Sequence, residues 1–397
     1  MKALKLTNRS NLILATLLVT AGIFNTSCTK EENKSPEIAK AQTPQSEEIK
    51  IGLVGSLTGG QASFGQSTQK GAEFAVNEIN NGGGVAGKKL KLISLDDQGK
   101  PEEAATVVTR LISQDKVTAI LGEVASSISL AMAPIAQKNK IPMITPSSTN
   151  PKVTEIGDFI FRVCFIDPFQ GSVMAKFATE DLKIKKVAVL TDVKNDYSVG
   201  LAQFFKDKFT SLGGKIVVEQ SYSAGDMDFK SQLTSIKAKN PDAIYVPGYY
   251  TEVALIARQA KGLGLNVPLM GGDGWDSPKL QEIGGKAIEG SYFSSHYSAE
   301  DKSPIVQEFI EKFKKTYGIV PDALTALGYD AVKVLVEAMK RTDNLDTTKI
   351  RNEIASTKNY QGVTGLITID EKRNPVKSAV VLKVVSTGFK YQTTVNP

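Results

Sequence analysis

Short apolar strands alternate with amphipathic helices along most of the chain, and this alternation restricts the fold more than any other feature of the sequence. The apolar run Ile49–Gly55 predicts a buried strand, and residues 67–80 place their apolar side chains on one helical face. Further strands are predicted at residues 89–95 and 117–121, and further helices at residues 101–113 and 126–137. Strands that alternate with helices of about 10–15 residues predict a parallel, doubly wound sheet.

The same order starts again after Asp167-Pro168, which predicts a second α/β unit. Its strands are predicted at residues 186–191, 216–219, 243–248 and 268–271, and its helices at residues 169–182, 200–212, 229–239 and 252–263. The tail has predicted helices at 303–317, 325–341 and 347–356, then a hairpin of strands at 365–369 and 378–384. Because this tail completes neither unit, we expect it to return across both. The predicted fold class is α/β with two doubly wound parallel-sheet lobes.

Composition and charge agree with an ordinary globular protein. The chain has 397 residues, of which 41% are hydrophobic and 23% are charged, so it is long enough for two domains with real cores. The formal net charge is +6, and part of it comes from Lys2, Lys5 and Arg9 at the start of the chain. No dense basic block is present, which argues against a nucleic-acid partner.

The N-terminal segment predicts export. A cationic stretch is followed by the apolar run Leu12–Ile23, which is too short to span a bilayer and suits a signal peptide. Residues 24–28 (FNTSC) resemble a bacterial lipoprotein lipobox, although Asn25 stands where leucine is usual. We therefore expect residues 1–27 to be a signal peptide and Cys28 to be acylated, the alternatives being an ordinary cleaved signal or an uncleaved anchor.

The remaining part of residues 28–48 is polar, has two prolines and lacks aromatic residues, so it predicts a flexible tether. If Cys28 is acylated, Cys164 has no partner for a disulfide. Cys164 lies in the apolar run Phe159–Phe165 and is expected to be a small buried hydrophobe.

Catalytic, metal and cofactor sites are not predicted. His296 is the only histidine of the sequence, which excludes a histidine-based zinc cluster, and a solvated or structural role is favoured for it. The segment Gly82–Lys89 is similar to a phosphate-binding loop, but Lys89 replaces the required Ser or Thr and the segment precedes a strand. Asp96 and Asp97 point to opposite faces and are expected to bond to nearby backbone.

Features that favour ligand binding begin in the stretch Ile120–Pro151. Ser126 and Ser127 stand where a predicted helix begins, so their hydroxyls can cap it, and its free N–H groups suit a carboxylate. Further hydroxyls follow the next strand, at Ser147, Ser148 and Thr149. Two such loops at the carboxyl ends of adjacent parallel strands form a place for a small polar ligand, while plain helix capping is the alternative.

The second unit supplies the opposite charge. Tyr249 and Tyr250 follow one predicted strand, and the glycine-rich loop after another contains Asp273 and Trp275. An acid in such a loop is costly to bury unless it is solvated or matched to a cation, which makes Asp273 a candidate for an ammonium group. Hydroxyls and a helix dipole in one unit, with an acid in the other, would suit a zwitterion.

Five motifs, in order, carry a family resemblance: IKIGLVGSLTGGQASFGQSTQKGAEFAVNEIN, LDDQGKPEEA, IPMITPSSTNP, YVPGYYTEVALIARQAKGLG and GGDGWD. They are similar to the periplasmic leucine/isoleucine/valine-binding proteins, the type I substrate-binding components of branched-chain amino-acid ABC importers. The resemblance implies two lobes joined by a three-crossing hinge. It assigns residues 49–165 and 296–366 to the first lobe, and residues 166–295 and 367–397 to the second.

The resemblance also implies roles for individual residues. It assigns Ser126 and Thr149 to the ligand carboxylate, Ser147 and Asp273 to the ammonium group, and Tyr249 to the opposite wall. The pocket for the ligand side chain is assigned to Phe64, Val124, Ala125, Ser148 and Tyr197, and we expect Trp275 to line this pocket as well. Asp273 is shorter than the family's usual Glu, Phe64 replaces a common Tyr, and Ala125 replaces a disulfide-forming cysteine.

The expected function is capture of an amino acid, with Leu, Ile or Val favoured, and its delivery to an ABC permease with its ATPase subunits. The resemblance implies no catalysis and no cofactor, and we expect a monomer. The alternatives are a ligand without an ammonium group (an amide, urea or an aromatic acid), or a sensory or surface lipoprotein. The expected location is the periplasmic face of a bacterial membrane, with the outer membrane favoured because Thr29 follows Cys28.

Overall fold

The computed structural model describes residues 48–397, and it confirms the predicted fold class. Two mainly parallel sheets, each covered by helices, hold the core of the chain. The expected signal peptide, Cys28 and nearly all of the expected tether lie outside the described residues. No helix within residues 48–397 has both the length and the apolar character needed to cross a membrane.

The first sheet has five parallel strands in the order β2-β1-β3-β4-β5. These strands are β1 (Ile49–Gly55), β2 (Leu90–Asp96), β3 (Ala119–Leu121), β4 (Met143–Thr145) and β5 (Ile160–Arg162). The helices between them are α1 (Ala62–Asn81), α2 (Pro101–Arg110), α3 (Ser126–Lys138) and α4 (Lys152–Glu155). Six of the seven residues of β1 are buried, as expected for a parallel strand covered on both faces.

Helix α1 begins at Ala62, five residues before its predicted start, and so includes Gly65. A Cβ atom on Gly65 would lie 2.2 Å from the carbonyl oxygen of Ser56, so only glycine allows the helix to approach the end of β1 this closely. Gly65 thus serves close packing of α1 against the end of β1.

The second sheet has seven strands in the order β14-β13-β10-β9-β8-β6-β7. These strands are β6 (Lys186–Asp192), β7 (Lys215–Tyr222), β8 (Ala243–Tyr245), β9 (Leu269–Gly271), β10 (Tyr292–Ser295), β13 (Ala379–Val385) and β14 (Gly388–Val395). The helices of this part are α5 (Asp167–Lys176), α6 (Asp196–Ser211), α7 (Lys230–Lys237), α8 (Tyr250–Gly262) and α9 (Pro278–Gly284). Strands β13 and β14 run antiparallel, and β14 was not predicted.

The C-terminal tail contributes to both halves, as predicted. Its helices are α10 (Pro304–Tyr317), α11 (Ala323–Lys340) and α12 (Thr347–Ala355). Helix α11 packs on α1 so closely that a Cβ atom on Gly71 would lie 1.9 Å from the carbonyl oxygen of Thr325. The predicted hairpin between the last two strands is wrong, because β12 (Gly365–Ile367) pairs with β11 (Tyr360–Gly362) and β13 pairs with β10 and β14. The backbone turn at Val363 and Thr364 donates two N–H groups to the buried Asp330, which fixes the β11–β12 pair beside α11.

Three chain segments connect the two halves, between β5 and α5, between β10 and α10, and between β12 and β13. They contact one another directly. The ring of Phe165 in the first segment stacks on that of His296 in the second at 3.7 Å, and Lys377 in the third donates to the carbonyl oxygen of Val163 at 3.0 Å. Cys164 is fully buried between these contacts, as expected for a small hydrophobe. The exact lobe boundaries stay a prediction.

Candidate functional site

A small cavity lies where the loops after the two sets of parallel strands meet. In this closed arrangement its volume is about 10 Å³, which is room for at most about one water molecule. Its wall is formed by eight residues from both halves of the chain: Phe64, Val124, Ser147, Tyr197, Tyr249, Asp273, Gly274 and Leu324. The first six were predicted as site residues, whereas Gly274 and Leu324 were not. The cavity lies at the carboxyl ends of the strands, where ligands of open α/β sheets bind.

Direct contacts across the cleft show that the two halves are closed on each other. The hydroxyls of Ser63 and Ser277 lie 2.7 Å apart, and Thr251 Oγ1 donates to the carbonyl oxygen of Gly60 at 2.9 Å. On the other side of the cavity, Ser127 Oγ lies 3.0 Å from Asp196 Oδ2 and accepts the Asp196 N–H at 2.9 Å. These contacts join the first turns of α3 and α6.

The beginning of α3 presents free backbone donors, but its serines do not cap it. The extended residue at the cap is Ala125, and no side chain bonds to the first-turn N–H groups. This corrects the predicted capping role, because the helix starts directly at Ser126 and both serines lie in its first turn. Ser126 Oγ instead accepts the Asn150 N–H at 3.3 Å. The N–H groups of Ser126 and Ser127 have no partner among the described residues, which leaves them for an anion.

Asp273 supplies a buried carboxylate on the opposite wall. It begins a single 3-10 turn after β9 and is 6% exposed. Its Oδ1 accepts from Gln170 Nε2 at 3.0 Å, and its Oδ2 lies 3.0 Å from His296 Nε2 and 3.3 Å from Ser147 Oγ. The same Gln170 Nε2 donates to Asp167 Oδ1 at 2.8 Å, so one amide joins two acids. Burial raises the pKa of Asp167 to about 7.

His296 is part of this network, and the structure decides between its two predicted roles. The ring is buried and lies against Phe165, so the solvated role is wrong and the structural role is correct. Burial lowers the pKa of His296, which keeps the ring neutral. The sequence gives no signal that His296 or Gln170 contacts Asp273, because both residues lie far from Asp273 along the chain.

Aromatic rings form the apolar wall of the cavity. Tyr197 and Tyr249 stack with their ring centroids 5.3 Å apart, and the Phe64 ring meets Tyr249 edge-on at 5.5 Å. Tyr197 also fixes the acidic loop, because its hydroxyl accepts the Gly274 N–H at 3.1 Å. A Cβ atom on Gly274 would lie 2.7 Å from the Gly248 carbonyl oxygen, so glycine is required for this approach.

Four other predicted residues lie behind the wall. Ser148 Oγ donates to backbone carbonyls beneath the loop, and the fully buried Trp275 donates from Nε1 to the Val246 carbonyl oxygen at 3.0 Å. The side chains of Ser148 and Trp275 do not line the cavity, which corrects their predicted place in the side-chain pocket. Thr149 Oγ1 lies 3.4 Å from Gln170 Nε2, and Ala125 donates its N–H to the Glu123 carboxyl.

Glu123 supports the loop that carries Val124 and Ser126, and the sequence reasoning missed it. Besides Ala125, it accepts the Ser56 N–H and lies 2.9 Å from Ser56 Oγ, which in turn lies 2.9 Å from Asp97 Oδ1. Burial raises the pKa of the Glu123 carboxyl to about 8, and the charge of Asp97 adds to this. An acid two residues after the apolar strand β3 was the available signal.

The remaining sequence predictions in this region concern Asp96, Asp97 and the glycine-rich turn. Asp96 accepts the N–H groups of Leu57 and Thr58, and Asp97 accepts that of Gly99, which confirms their bonding to nearby backbone. Residues 82–89 form a turn between α1 and β2, as predicted. Within residues 48–397 no group of three or more His, Cys, Asp or Glu residues is placed to hold a metal ion.

Known proteins share both the sequence and this fold. A family model described as periplasmic binding protein matches residues 48–389. The chain is 33% identical to the Leu/Ile/Val-binding protein homolog 3 of Brucella melitensis, over 75% of this chain and 80% of that protein. It is 32% identical to the leucine-, isoleucine-, valine-, threonine- and alanine-binding protein of Pseudomonas aeruginosa, over 82% of this chain and 86% of that protein.

Solved structures of similar binding proteins share the fold of this chain. A leucine-binding protein of Thermotoga maritima superposes with a TM-score of 0.85 and 47% identity, over 88% of this chain and 99% of its own. A branched-chain amino acid transporter substrate-binding protein of Streptococcus pneumoniae, in complex with isoleucine, has a TM-score of 0.84 and 35% identity, over 88% and 100%. A Rhodopseudomonas palustris solute-binding protein with 3,4-dihydroxybenzoic acid has a TM-score of 0.78 and 30% identity, over 88% and 97%. The chain therefore belongs to the periplasmic binding protein family, among the Leu/Ile/Val-binding proteins that its sequence motifs resemble.

Proposed function

We propose that this chain captures an amino acid with a branched apolar side chain and delivers it to an ABC importer. One observation supports the proposal: the buried Asp273 and the aromatic rings of Phe64, Tyr197 and Tyr249 line one small cavity. Val124, which lies just before the free N–H groups of α3, lines the same cavity. The ligand carboxylate would accept from the N–H groups of Ser126 and Ser127, at the positive end of the helix dipole. The ammonium group would meet Asp273, and an aliphatic side chain would contact Phe64 and Leu324.

Closure of the two halves would strengthen both polar contacts. Charges interact more strongly in a buried cleft than in water, and hydrogen bonds to charged groups are among the strongest in proteins. The names of the relatives support an amino-acid ligand, since those proteins bind leucine, isoleucine or valine. An aromatic acid such as 3,4-dihydroxybenzoate has no ammonium group and would leave Asp273 buried without a cationic partner.

The test is calorimetric titration of the wild type and an Asp273→Asn variant with leucine, isoleucine and valine. We expect micromolar binding by the wild type, equivalent to roughly 8 kcal/mol. Removing one partner of a buried charge pair costs about 2–5 kcal/mol, so the variant should lose at least about thirtyfold in affinity. The exposed Asp228→Asn serves as the matched control and should bind as the wild type does. Unchanged affinity of Asp273→Asn would refute the proposed site.

We propose further that the protein acts outside the cytoplasm as a lipid-anchored monomer. Family membership supports the extracytoplasmic location, and the sequence around Cys28 supports the anchor. Residues 29–48 would tether the ligand-binding part to the outer membrane and let it reach the permease. Two closed halves that already bury the cavity need no second copy to complete the site.

A further inference from the structure

The contact between His296 and Asp273 ties the candidate ammonium ligand to the segments that join the two halves. His296 directly follows β10 and begins the second connecting segment. One face of its ring stacks on Phe165 of the first connecting segment at 3.7 Å, with an angle of 27° between the rings. Its Nε2 lies 3.0 Å from Asp273 Oδ2. The face of the imidazole thus packs on an aromatic ring, and its Nε2 contacts the acid.

The direction of this hydrogen bond follows from the surroundings of the ring. Nδ1 of His296 is buried and has no hydrogen-bond partner in the described part of the chain. A neutral imidazole carries one N–H group, and the carboxylate can only accept. The proton therefore lies on Nε2, and His296 donates to Asp273.

Few other donors hold the same carboxylate. Gln170 Nε2 holds Oδ1 at 3.0 Å, but the second donor to Oδ2 is Ser147 Oγ, at the longer distance of 3.3 Å. Ser147 also belongs to the opposite half of the cleft, so its contact depends on closure. In the closed structure, Gln170 from α5 and His296 directly after β10 are therefore the two donors within 3.0 Å of the Asp273 carboxylate.

The unpartnered Nδ1 offsets part of the stability that the buried His296 ring contributes. A buried polar atom without a partner destabilises the folded state, and an apolar ring of similar shape would avoid that loss. The Nε2–H bond to Asp273 is the polar contact that distinguishes histidine from phenylalanine at this position. The advantage of histidine over phenylalanine at this position therefore lies in its hydrogen bond to Asp273.

We propose that His296 is a positioning residue for ligand binding, whose Nε2–H group holds Asp273 in the orientation that receives the ligand ammonium group. This inference rests on the proposed function, because an ammonium group is what Asp273 is proposed to bind. His296 does not touch the ligand itself and acts through Asp273. It also places that acid in direct contact with the connecting segments between the halves.

The test compares His296→Phe with His296→Gln. Phenylalanine keeps the stacking on Phe165 and removes the donor, whereas the glutamine amide can donate from a position similar to that of Nε2. Leucine affinity is measured by calorimetry, and the unfolding temperature is measured without ligand. We expect His296→Phe to weaken leucine binding about tenfold or more without lowering the unfolding temperature. His296→Gln should bind leucine within about threefold of the wild type.

Two results would overturn the inference. Wild-type affinity in His296→Phe would show that Asp273 needs no such donor. Equal weakening in both variants, together with lower unfolding temperatures, would show that the histidine is only structural. The Asp273→Asn variant separates the two proposals: if it loses leucine while His296→Phe does not, the proposed function stands and this inference falls. A wild type that binds none of leucine, isoleucine and valine would overturn both.

Discussion

Removal of the Ser127 hydroxyl tests how strongly the two halves of the cleft hold each other. The hydroxyl donates to Asp196 Oδ2 at 3.0 Å and accepts the Asp196 N–H at 2.9 Å. Both bonds connect the first turn of α3 with that of α6, so they exist only while the cleft is closed. In an open cleft the hydroxyl is hydrated, and Ser127→Ala should leave the open form unaffected.

The size of the effect follows from these two bonds. A neutral hydrogen bond contributes about 0.5–1.5 kcal/mol, and one to a charged group about 1.5–3 kcal/mol. Ser127 and Asp196 are both half-buried, so water weakens both hydrogen bonds. We therefore take the lower limit for each bond, which gives about 2 kcal/mol for the two bonds together. If the free protein is mainly open, the whole loss falls on ligand affinity. The dissociation constant for leucine should then rise about thirtyfold, since each 1.4 kcal/mol corresponds to about tenfold.

Calorimetry with leucine measures this change, and small-angle X-ray scattering at ligand saturation shows whether the variant still closes. Ser235→Ala is the matched control, because its exposed hydroxyl bonds only to a carbonyl oxygen within α7. The control should bind leucine as the wild type does. A Ser127→Ala variant with wild-type affinity would refute the reasoning, because it would mean that the contact with Asp196 contributes nothing to closure.

Two further predictions concern pH and the N-terminus. Because the pKa of Glu123 is raised by burial from 4.5 to about 8, its contribution to stability is fully present below about pH 4.5 and is lost as pH rises through about 8. The unfolding temperature of Glu123→Gln should therefore fall less between about pH 5 and about pH 8 than that of the wild type, and equal slopes would contradict this. Export of the full chain in bacteria grown with labelled palmitate should label the wild type and leave Cys28→Ser unlabelled, whereas an unlabelled wild type would exclude the lipid anchor.

The order of strands and helices was predictable because it depends on local patterns. The apolar run of β1 and the acidic loop after β9 are visible within a few residues. The motif resemblance brought Phe64, Tyr197, Tyr249 and Asp273 together, and these four residues line one cavity. Their roles in binding stay predictions until a ligand is measured.

The missed features depend on pairings between distant parts of the chain or on single-residue shifts. Leu324 reaches the site only because the tail returns to the first half, and no local pattern shows which tail residue will face the cleft. His296 reaches the site because the strand before it, β10, pairs with β9. The capping prediction for Ser126 was wrong because α3 starts one residue earlier than a capping role requires. The exact first residue of a helix is the feature that a sequence pattern predicts least well. Gly65 lies before the predicted start of α1, although it belongs to that helix and allows its close packing.

The return of the tail also sets the order in which the protein can fold. Helix α1 is made early in synthesis, but the helix that covers it, α11, begins only at Ala323. A growing chain that ends before Ala323 leaves the apolar face of α1 uncovered and β10 without its neighbour β13. Such long-range contacts slow folding and delay it until the chain is nearly complete. Neither half of a chain built this way is complete until its last segments are made, and the proposed export would favour such late completion.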